Sequence, residues 1–469
     1  MLEGLEAVEV NVKNVTRTSY SFRWDSDYFK KEFLADEAIF SDWVELNKIA
    51  LIRSGSTPPN RDENLKEGII LLKTNDIRNN ILSVLDKENF FYIDTVTDNL
   101  MHSTRLASKD ILINIVGATT DVIGRSTFVT ESIGRANITQ AMAFCRLYDK
   151  RWLPEFLFAF VLSKYSNKQT RRIARQTGQF NMNLIELGSF RVPLTGLIFQ
   201  EKIKNVIEQS EITLYSSKKL YSKAEDILLT ELGLKDWEPT DQSATQKNFS
   251  DFLSSGRLDA EYYQLKYDEL LSHLEQYDTK PLSSIVAISK SIEPGSEAYQ
   301  DNGTPFIRVA NLSKFGLSDT DIFLDKMDYA ATIRPQKDTI LLSKDGSVGI
   351  AYKVEQDLDV ITSGAILHLN IFNKEFMPDY LTLVLNSIIV KMQAERDAGG
   401  SIIQHWKPSE IEQVIIPKLS KDIQTKITEK IRESYALKAE SKRLLDLAKT
   451  AVEVAIEQGE EKAMELLIN

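Results

Sequence analysis

The chain has 469 residues, enough for two to four domains at about 150 residues each, and is 42% hydrophobic and 27% charged. That balance, with only 20 Gly and 12 Pro, excludes collagen-like and Pro/Gly-rich disordered classes, and the lone cysteine, Cys145, excludes an intramolecular disulfide. Fifty-seven basic residues against 68 acidic ones leave a net charge of −11, which argues against a chain-wide nucleic-acid footprint but not against a local one.

The N-terminal MLEGLEAVEV lacks the basic-then-apolar order of a signal peptide, and the longest apolar stretches, Phe156–Leu162 and Leu381–Val390, are far too short for a membrane span. The expectation is a cytoplasmic protein with no membrane partner. Four scattered histidines and one cysteine offer no zinc cluster, so no metal is expected.

Residues 1–22 read as an N-terminal arm. From residue 23 onward the chain is written twice. Arg23-Trp-Asp-Ser-Asp-Tyr-Phe29 returns as Arg257-Leu-Asp-Ala-Glu-Tyr-Tyr263, 234 residues later. Leu71–Ile77 returns as Phe306–Leu312 at 235, and Lys109-Asp110 as Lys337-Asp338 at 228. Leu153-Pro-Glu-Phe-Leu157 returns as Met377-Pro-Asp-Tyr-Leu381, Arg191-Val-Pro193 as Ile415-Ile-Pro417, and Phe199-Gln-Glu-Lys-Ile203 as Ile423-Gln-Thr-Lys-Ile427, all at 224. Six matches in order establish a duplication. The fall in offset gives the first copy roughly eleven extra residues between Asp76 and Leu153.

Each copy predicts the same elements in the same order. Strand-like runs come first: Gly68–Leu72, Asp110–Val116 and Ala141–Leu147, then Phe306–Val309, Thr339–Ser343 and Ala365–Ile371. A helix follows, opened by Pro154 or Pro378 at its first turn. Last comes a long helical segment, 197–235 or 421–469, with apolar residues near a 3.5 spacing between Glu, Lys, Ser and Gln. Two such seams predict a paired coiled coil rather than isolated surface helices. The polar stretch 236–256 reads as a linker between globular units 23–196 and 257–420.

Chemistry for catalysis is missing. There is no GxxxxGK[ST], no GxGxxG after a strand, no Gly-x-Ser-x-Gly, and no Asn/Asp-Pro-Pro-aromatic run of the kind amino-methyltransferases use. The four histidines do not recur at matching repeat positions. No catalytic residue and no cofactor are assigned to this chain. What remains is recognition. Polar, small and basic residues gather in turn-rich settings: Ser56, Thr57, Lys73, Asn75, Thr119, Thr120, Arg125, Thr139, Gln140, Arg175, Gln176, Gln179 and Asn181 in the first copy. The second copy offers Arg308, Asn311, Lys344, Ser347, Thr362, Ser363, Ser401, Gln404, His405 and Lys407. Gln, Asn, Arg and Lys can contact base edges in pairs of hydrogen bonds. The run Arg151–Arg191 also holds seven basic residues against two acidic ones, a local excess that reads as a cationic patch or a solvated helix face.

The order globular unit, long helix, globular unit, long helix, with IRSGSTP after Leu46, the Lys-Asp-Ile-Leu strand start and the Arg-x-Asp-x-x-Tyr openings, resembles the specificity (S) subunit of type I DNA restriction–modification enzymes. The resemblance implies an α+β chain of two target recognition domains, each reading half of an asymmetric bipartite site in double-stranded DNA. It implies antiparallel helices acting as spacer and as docking surface for DNA methyltransferase (modification) subunits, two of them. Methylation would need S-adenosylmethionine, and cleavage ATP and Mg2+, all held by partner modification and restriction/translocase subunits. The alternatives are a specificity subunit of another phage-defence or fused nuclease–methyltransferase system, or a protein-interaction scaffold that does not touch DNA.

Overall fold

The computed structural model describes residues 9–12, 15, 25–39, 42–60, 62, 65, 67–83, 90–176, 178–240, 245–399 and 404–468. Most of the expected N-terminal arm, and Arg23 of the first opening, lie outside them. The chain is α+β and divides into two units: unit 1 takes residues 1–216 with 437–469, and unit 2 takes residues 217–436. Each long helix is therefore shared out, one portion to each unit. Among the described residues no helix is long and apolar enough to cross a membrane.

In unit 1 the central sheet runs Ala50–Ser54, Met142–Leu147, Ile111–Asn114, Ser126–Phe128 and Asn80–Ile81, in that spatial order. The first four strands are antiparallel neighbours, and the fifth is parallel to the fourth. A smaller sheet places Ile69–Leu72 between Phe91–Ile93, antiparallel, and Ala136–Ile138, parallel. Unit 2 repeats the plan. Val286–Lys290, Ile366–Ile371, Ile340–Ser343 and Ala351–Lys353 form its central sheet. Thr304–Ile307 lies between Phe323–Leu324, antiparallel, and Ile361–Thr362, parallel. Four of the six predicted strand runs appear shortened by one residue or unchanged at their ends; Phe306–Val309 is shifted to Thr304–Ile307, because Val309 opens a tight helical turn, and Asp110–Val116 splits into Ile111–Asn114 and Val116–Gly117.

The predicted proline-led helices are Pro154–Leu162 and Pro378–Asn386. Each has Pro in its first turn, where the missing N–H costs nothing, and each is buried almost throughout. Two further helices, Lys164–Ile173 and Ile388–Asp397, follow at once. Ser163, extended at ψ 157°, separates the first pair, its hydroxyl capping Ser166 N–H at 3.4 Å.

The long helices are Leu197–Glu231 and Lys421–Gln458. The second was expected to run to residue 469. Gly459, at φ +92°, breaks it, and Glu460–Ile468 forms a separate helix. Within unit 1 the helices are antiparallel: Glu460 Oε1 accepts the Gly196 N–H at 2.8 Å, and further along Ser210 meets Ser441. Phe199, Ile203 and Ile207 join Ala448, Ala451 and Val452 in the unit 1 core with Phe156, Phe158 and Phe160. Within unit 2, Tyr221, Ala224 and Leu228 join Ile427 and Ile431 in a core with Tyr380, Trp406 and Leu369.

Small buried serines let these helix backbones approach. Ser210 and Ser441 each donate to the other's carbonyl at 2.9 Å, and Ser217 and Ser434 do so at 2.7 and 2.8 Å. At the 224-residue offset Ser210 corresponds to Ser434 and Ser217 to Ser441, so each pair joins one residue to the counterpart of the other. A buried hydroxyl left without a partner costs about 1–3 kcal/mol, which reciprocal bonding avoids.

Several matches seen in the sequence become buried hydrogen bonds. Gln200 Oε1 accepts the Leu153 N–H at 2.9 Å, and its amide donates to Thr195 O at 3.2 Å and Arg151 O at 3.4 Å. Gln424 does the same to Met377, Leu419 and Glu375 at 2.9, 2.9 and 3.0 Å. The opening motif is a turn. Asp25 and Asp259 each accept the N–H of the tyrosine three residues on, at 3.1 Å, and Arg172 and Arg396 lie over Tyr28 and Tyr262.

Candidate nucleic-acid interface

Strand register defines one end of each central sheet. In unit 1, Ser54 faces Ala143, Ala143 faces Ile113, and Ile113 faces Ser126, so these four residues form a row across the sheet. Loops 55–57, 139–141 and 115–125 leave from that end. The loop after Leu72 joins them, because Thr139 N–H donates to Leu72 O at 3.3 Å and Ser56 N–H to Ile138 O at 3.2 Å. Gly55 permits this approach, since a Cβ there would stand 2.2 Å from Ile138 O. Unit 2 has the matching row Lys290, Leu367, Leu342 and Ala351.

Most of the candidate residues of unit 1 collect at this end. Thr57 Oγ1 donates to Gln140 Oε1 at 2.7 Å, with both side chains exposed. Ser56 and Thr139 are half-buried beside them, Asn75 is exposed, and Lys73 lies over the Phe91 ring. A second group sits on the neighbouring loop and ribbon. Arg175-Gln176 pairs with Phe180-Asn181, which pairs in turn with Val116-Gly117. Thr119 is half-buried there, and Thr120 and Gln179 are exposed. Arg125 Nε donates to Asp121 O at 2.7 Å.

Arg175 points elsewhere than expected: its guanidinium bonds the buried Glu186 at 2.6 Å and ties the ribbon to the following helix. The basic run 151–191 likewise does not form a continuous patch. Arg151 pairs with Asp149, Lys164 with Glu457 and Arg171 with Asp121, while Arg172 and Arg191 stack on Tyr28 and Trp43.

In unit 2, Arg308, Ser347, Gln404, His405 and Lys407 are exposed. His405 Nδ1 contacts Asp345 Oδ1 at 2.8 Å, and Lys344 pairs with the same carboxylate. Burial alone would raise the Asp345 carboxyl, but these two contacts prevail and hold it below its ordinary value. Lys407 pairs with Glu410 at 3.3 Å. Asn311 is a turn staple: its amide donates to Asp319 O at 2.9 Å and its oxygen accepts the Arg308 N–H at 3.1 Å. Thr362 and Ser363 are buried, so the expectation that they face a ligand is corrected. Thr362 Oγ1 instead bonds His368 Nε2 at 2.8 Å inside the unit. Ser401 lies outside the described residues.

Two residues that hold the loops were not singled out from sequence. Asn114, fully buried, donates to Thr74 O at 3.2 Å and Val122 O at 3.3 Å, joining two loops. Its counterpart Ser343 donates to Ser347 O at 2.6 Å and accepts the Ile350 N–H at 2.9 Å. The signal was a polar residue closing an apolar run, ILIN in one copy and ILLS in the other. The loops they hold differ: residues 115–125 in unit 1 against 344–350 in unit 2, so four of the extra residues of the first copy fall here. Beside the unit 2 loops a cleft of about 890 Å³ is lined by Arg257, Asp259, Arg396, Gln404 and His405. Among the described residues no group of three or more His, Cys, Asp or Glu side chains is placed to hold a metal ion.

No family model and no curated protein matches the chain. Among solved structures it is similar to the type I restriction-modification S subunit from M. genitalium, at 14% identity and TM-score 0.36 over 89% of this chain and 95% of that one. It is also similar to the HsdS subunit from Thermoanaerobacter tengcongensis, at 14% identity and TM-score 0.30 over 89% and 97%. A chain of a type I R-M system complex is similar at 16% identity and TM-score 0.29, over 89% and 98%.

Proposed function

We propose that the chain is a sequence-specific DNA reader, the specificity subunit of a type I restriction–modification complex, in which each unit reads one half of an asymmetric bipartite site. The observation that carries this reading is a duplicated frame with unduplicated loops. The same end of the central sheet gathers polar loops in both units, while loop length and side chains differ between them. A repeat kept for stability alone has no need for that pattern. Two frames with unlike loops suit two unlike half-sites. Exposed Gln, Asn, Arg, Thr and Lys at those ends have the donors and acceptors that base edges require.

In this reading the paired long helices are the spacer. Helices of 35 and 38 residues span roughly 50–57 Å at about 1.5 Å per residue, enough to address neighbouring turns of B-DNA, which repeat at about 34–36 Å. The same helices are the docking surface for two modification subunits. Those subunits hold S-adenosylmethionine, and restriction subunits hold ATP and Mg2+. This chain makes no bond changes itself and acts in the cytoplasm, where the DNA is.

The test is methylome sequencing of cells that express the chain with its neighbouring methyltransferase, against cells lacking only this chain. Loss of one motif, two unlike half-sites around a fixed gap, is the expected result. Persistence of every motif would overturn the reading and favour a scaffold. Replacing the ribbon Arg175–Asn181 is expected to change one half-site and leave the other intact; a change in both, or in neither, would break the assignment of one reading head per unit.

A further inference from the structure

We infer that unit 1 carries, beside its loop end, a four-arginine face that grips the phosphodiester backbone of duplex DNA. The inference rests on the DNA-reading function proposed above and adds to it a surface that positions the duplex without reading it. Arg53, Arg105, Arg135 and Arg146 are scattered in the sequence but linked in space. Arg53 Nη1 donates to Ser103 O at 2.9 Å, two residues before Arg105. Arg146 Nη2 donates to Arg105 O at 3.0 Å. Arg105 and Arg135 share the Asp98 carboxylate, and both reach Asn99 Oδ1, at 2.7 and 3.1 Å.

The carboxylates beneath are fully buried and the guanidiniums are not. Asp98 receives Arg105 and Arg135 and also the Asn137 amide at 2.6 Å. Asp110 receives Arg146 through Nε at 2.8 Å and Nη2 at 2.7 Å. Arg105, Arg135 and Arg146 keep 32%, 44% and 37% of their side chains exposed, against 0% for both aspartates. Four cations over two carboxylates leave a surplus of two positive charges. The buried acids take the Nε and Nη2 donors of Arg105 and Arg146 and so fix the guanidinium planes, and little side-chain entropy remains to be lost when an anion binds the Nη1 donors.

Unit 2 supplies the control. The positions of Arg53, Arg105, Arg135 and Arg146 are held there by Ser289, Arg334, Asp359 and Asn370. Arg334 pairs with Asp359 at 3.1 Å, and Thr339, which strand register rather than the sequence match places at Asp110, donates to Asn370 at 2.9 Å. The same frame therefore folds with one balanced ion pair and one neutral pair, and the charge surplus of unit 1 is not a requirement of the fold. Backbone contact is the use that fits its place: Arg53 immediately precedes Ser54, the first residue of the row that bears the reading loops. Contacts of this kind set register on a duplex and carry no sequence information.

The experiment measures binding of the full chain, with any subunits that accompany it from its host, to two duplexes of equal length across a salt series. One duplex contains the motif found by methylome sequencing and the other is scrambled. For Arg53→Gln with Arg135→Gln, the slope of log K against log salt is expected to flatten by about 1.8, at about 0.9 per lost phosphate contact. Affinity is expected to fall by the same factor on both duplexes. Arg334→Gln should leave the slope unchanged. If the double variant is unstable, Arg53→Gln alone, whose bond is to one carbonyl, gives the same reading at half the size. An unchanged slope, or a loss confined to the motif duplex, would overturn the backbone role. A wild-type chain that binds neither duplex would instead sink the DNA-reading function, and this inference with it.

Discussion

Unit 1 and unit 2 bury a carboxylate at the same repeat position and neutralise it in different ways. In unit 1, Glu155 takes Lys109 at 2.7 Å, and that lysine is half exposed, at 47%. In unit 2, Asp379 takes Lys353 at 2.8 Å and Arg432 at 3.0 Å, and Lys353 is itself buried, at 3%. The counterpart of Arg432 is Glu208, and strand register makes Asp338 the counterpart of Lys109, one residue on from the match read in the sequence. The signs of two neighbours have reversed around an acid that stayed. The comparison teaches that the repeat preserves the acid and its charge balance, while the source of the balancing charge is free to move.

The largest effect should come from removing that acid. Asp379→Ala takes the buried partner from the Lys353 ammonium, which keeps Glu355 at 3.2 Å and Asp338 at 3.8 Å, and is expected to destabilise unit 2 by about 3 kcal/mol, whereas Glu155→Ala releases Lys109 to water and should cost unit 1 about 1 kcal/mol. Urea unfolding of the full chain, followed by probes in each unit, checks the difference; equal costs would break the comparison.

A second contrast lies in the smaller cores. Phe144 and Ile138 of unit 1 stand where unit 2 has His368 and Thr362. Burial lowers the His368 imidazole to a pKa of about 4. Between about pH 6.5 and 4 the unfolded chain takes up a proton that the folded chain refuses, so stability is full above that window and is lost as pH falls through it. The expected loss is about 3 kcal/mol, read as a fall in Tm with pH. His368→Phe with Thr362→Ile should remove this dependence, and an unaltered pH profile would count against it.

The smallest effect should also be the most even. Gln200→Ala and Gln424→Ala each remove a buried clamp with matching partners, at an expected cost of about 1–3 kcal/mol. Unfolding of the two single variants should give the same value within about half a kcal/mol, and a clear inequality would show that the clamps are not equivalent.

The repeated succession of elements was legible because matched residues such as Gln200 and Gln424 do the same hydrogen bonding in both copies, whereas the spatial order of the strands was not. Helices opened by Pro154 and Pro378 were legible from local chemistry. The helix Lys164–Ile173 was not, because KYSNKQTRRI looks like a solvated stretch, and its burial depends on Tyr165, Thr170 and Ile173 meeting neighbours distant in sequence. For the candidate interface, loop composition pointed to the right end of the sheet but not to which side chains stay outside. Thr362 and Ser363 read like surface turn residues and are inside. The basic excess over 151–191 was visible because it is contiguous, and folding dissolves it into ion pairs and ring stacks. The arginines at 53, 105, 135 and 146 were invisible because only tertiary structure brings them together.

The way each unit is closed bears on how the chain is made. Unit 2 is one uninterrupted segment, 217–436, whereas unit 1 needs residues 437–469 to complete a core that includes Ala448, Ala451 and Val452. On a ribosome adding about 5–20 residues per second, the half translated first must wait for the last stretch to emerge, while the half translated later can finish sooner. The nascent N-terminal sheet therefore spends its synthesis with an apolar flank uncovered, and a nonsense mutation near residue 436 would damage the beginning of the protein more than the part beside it.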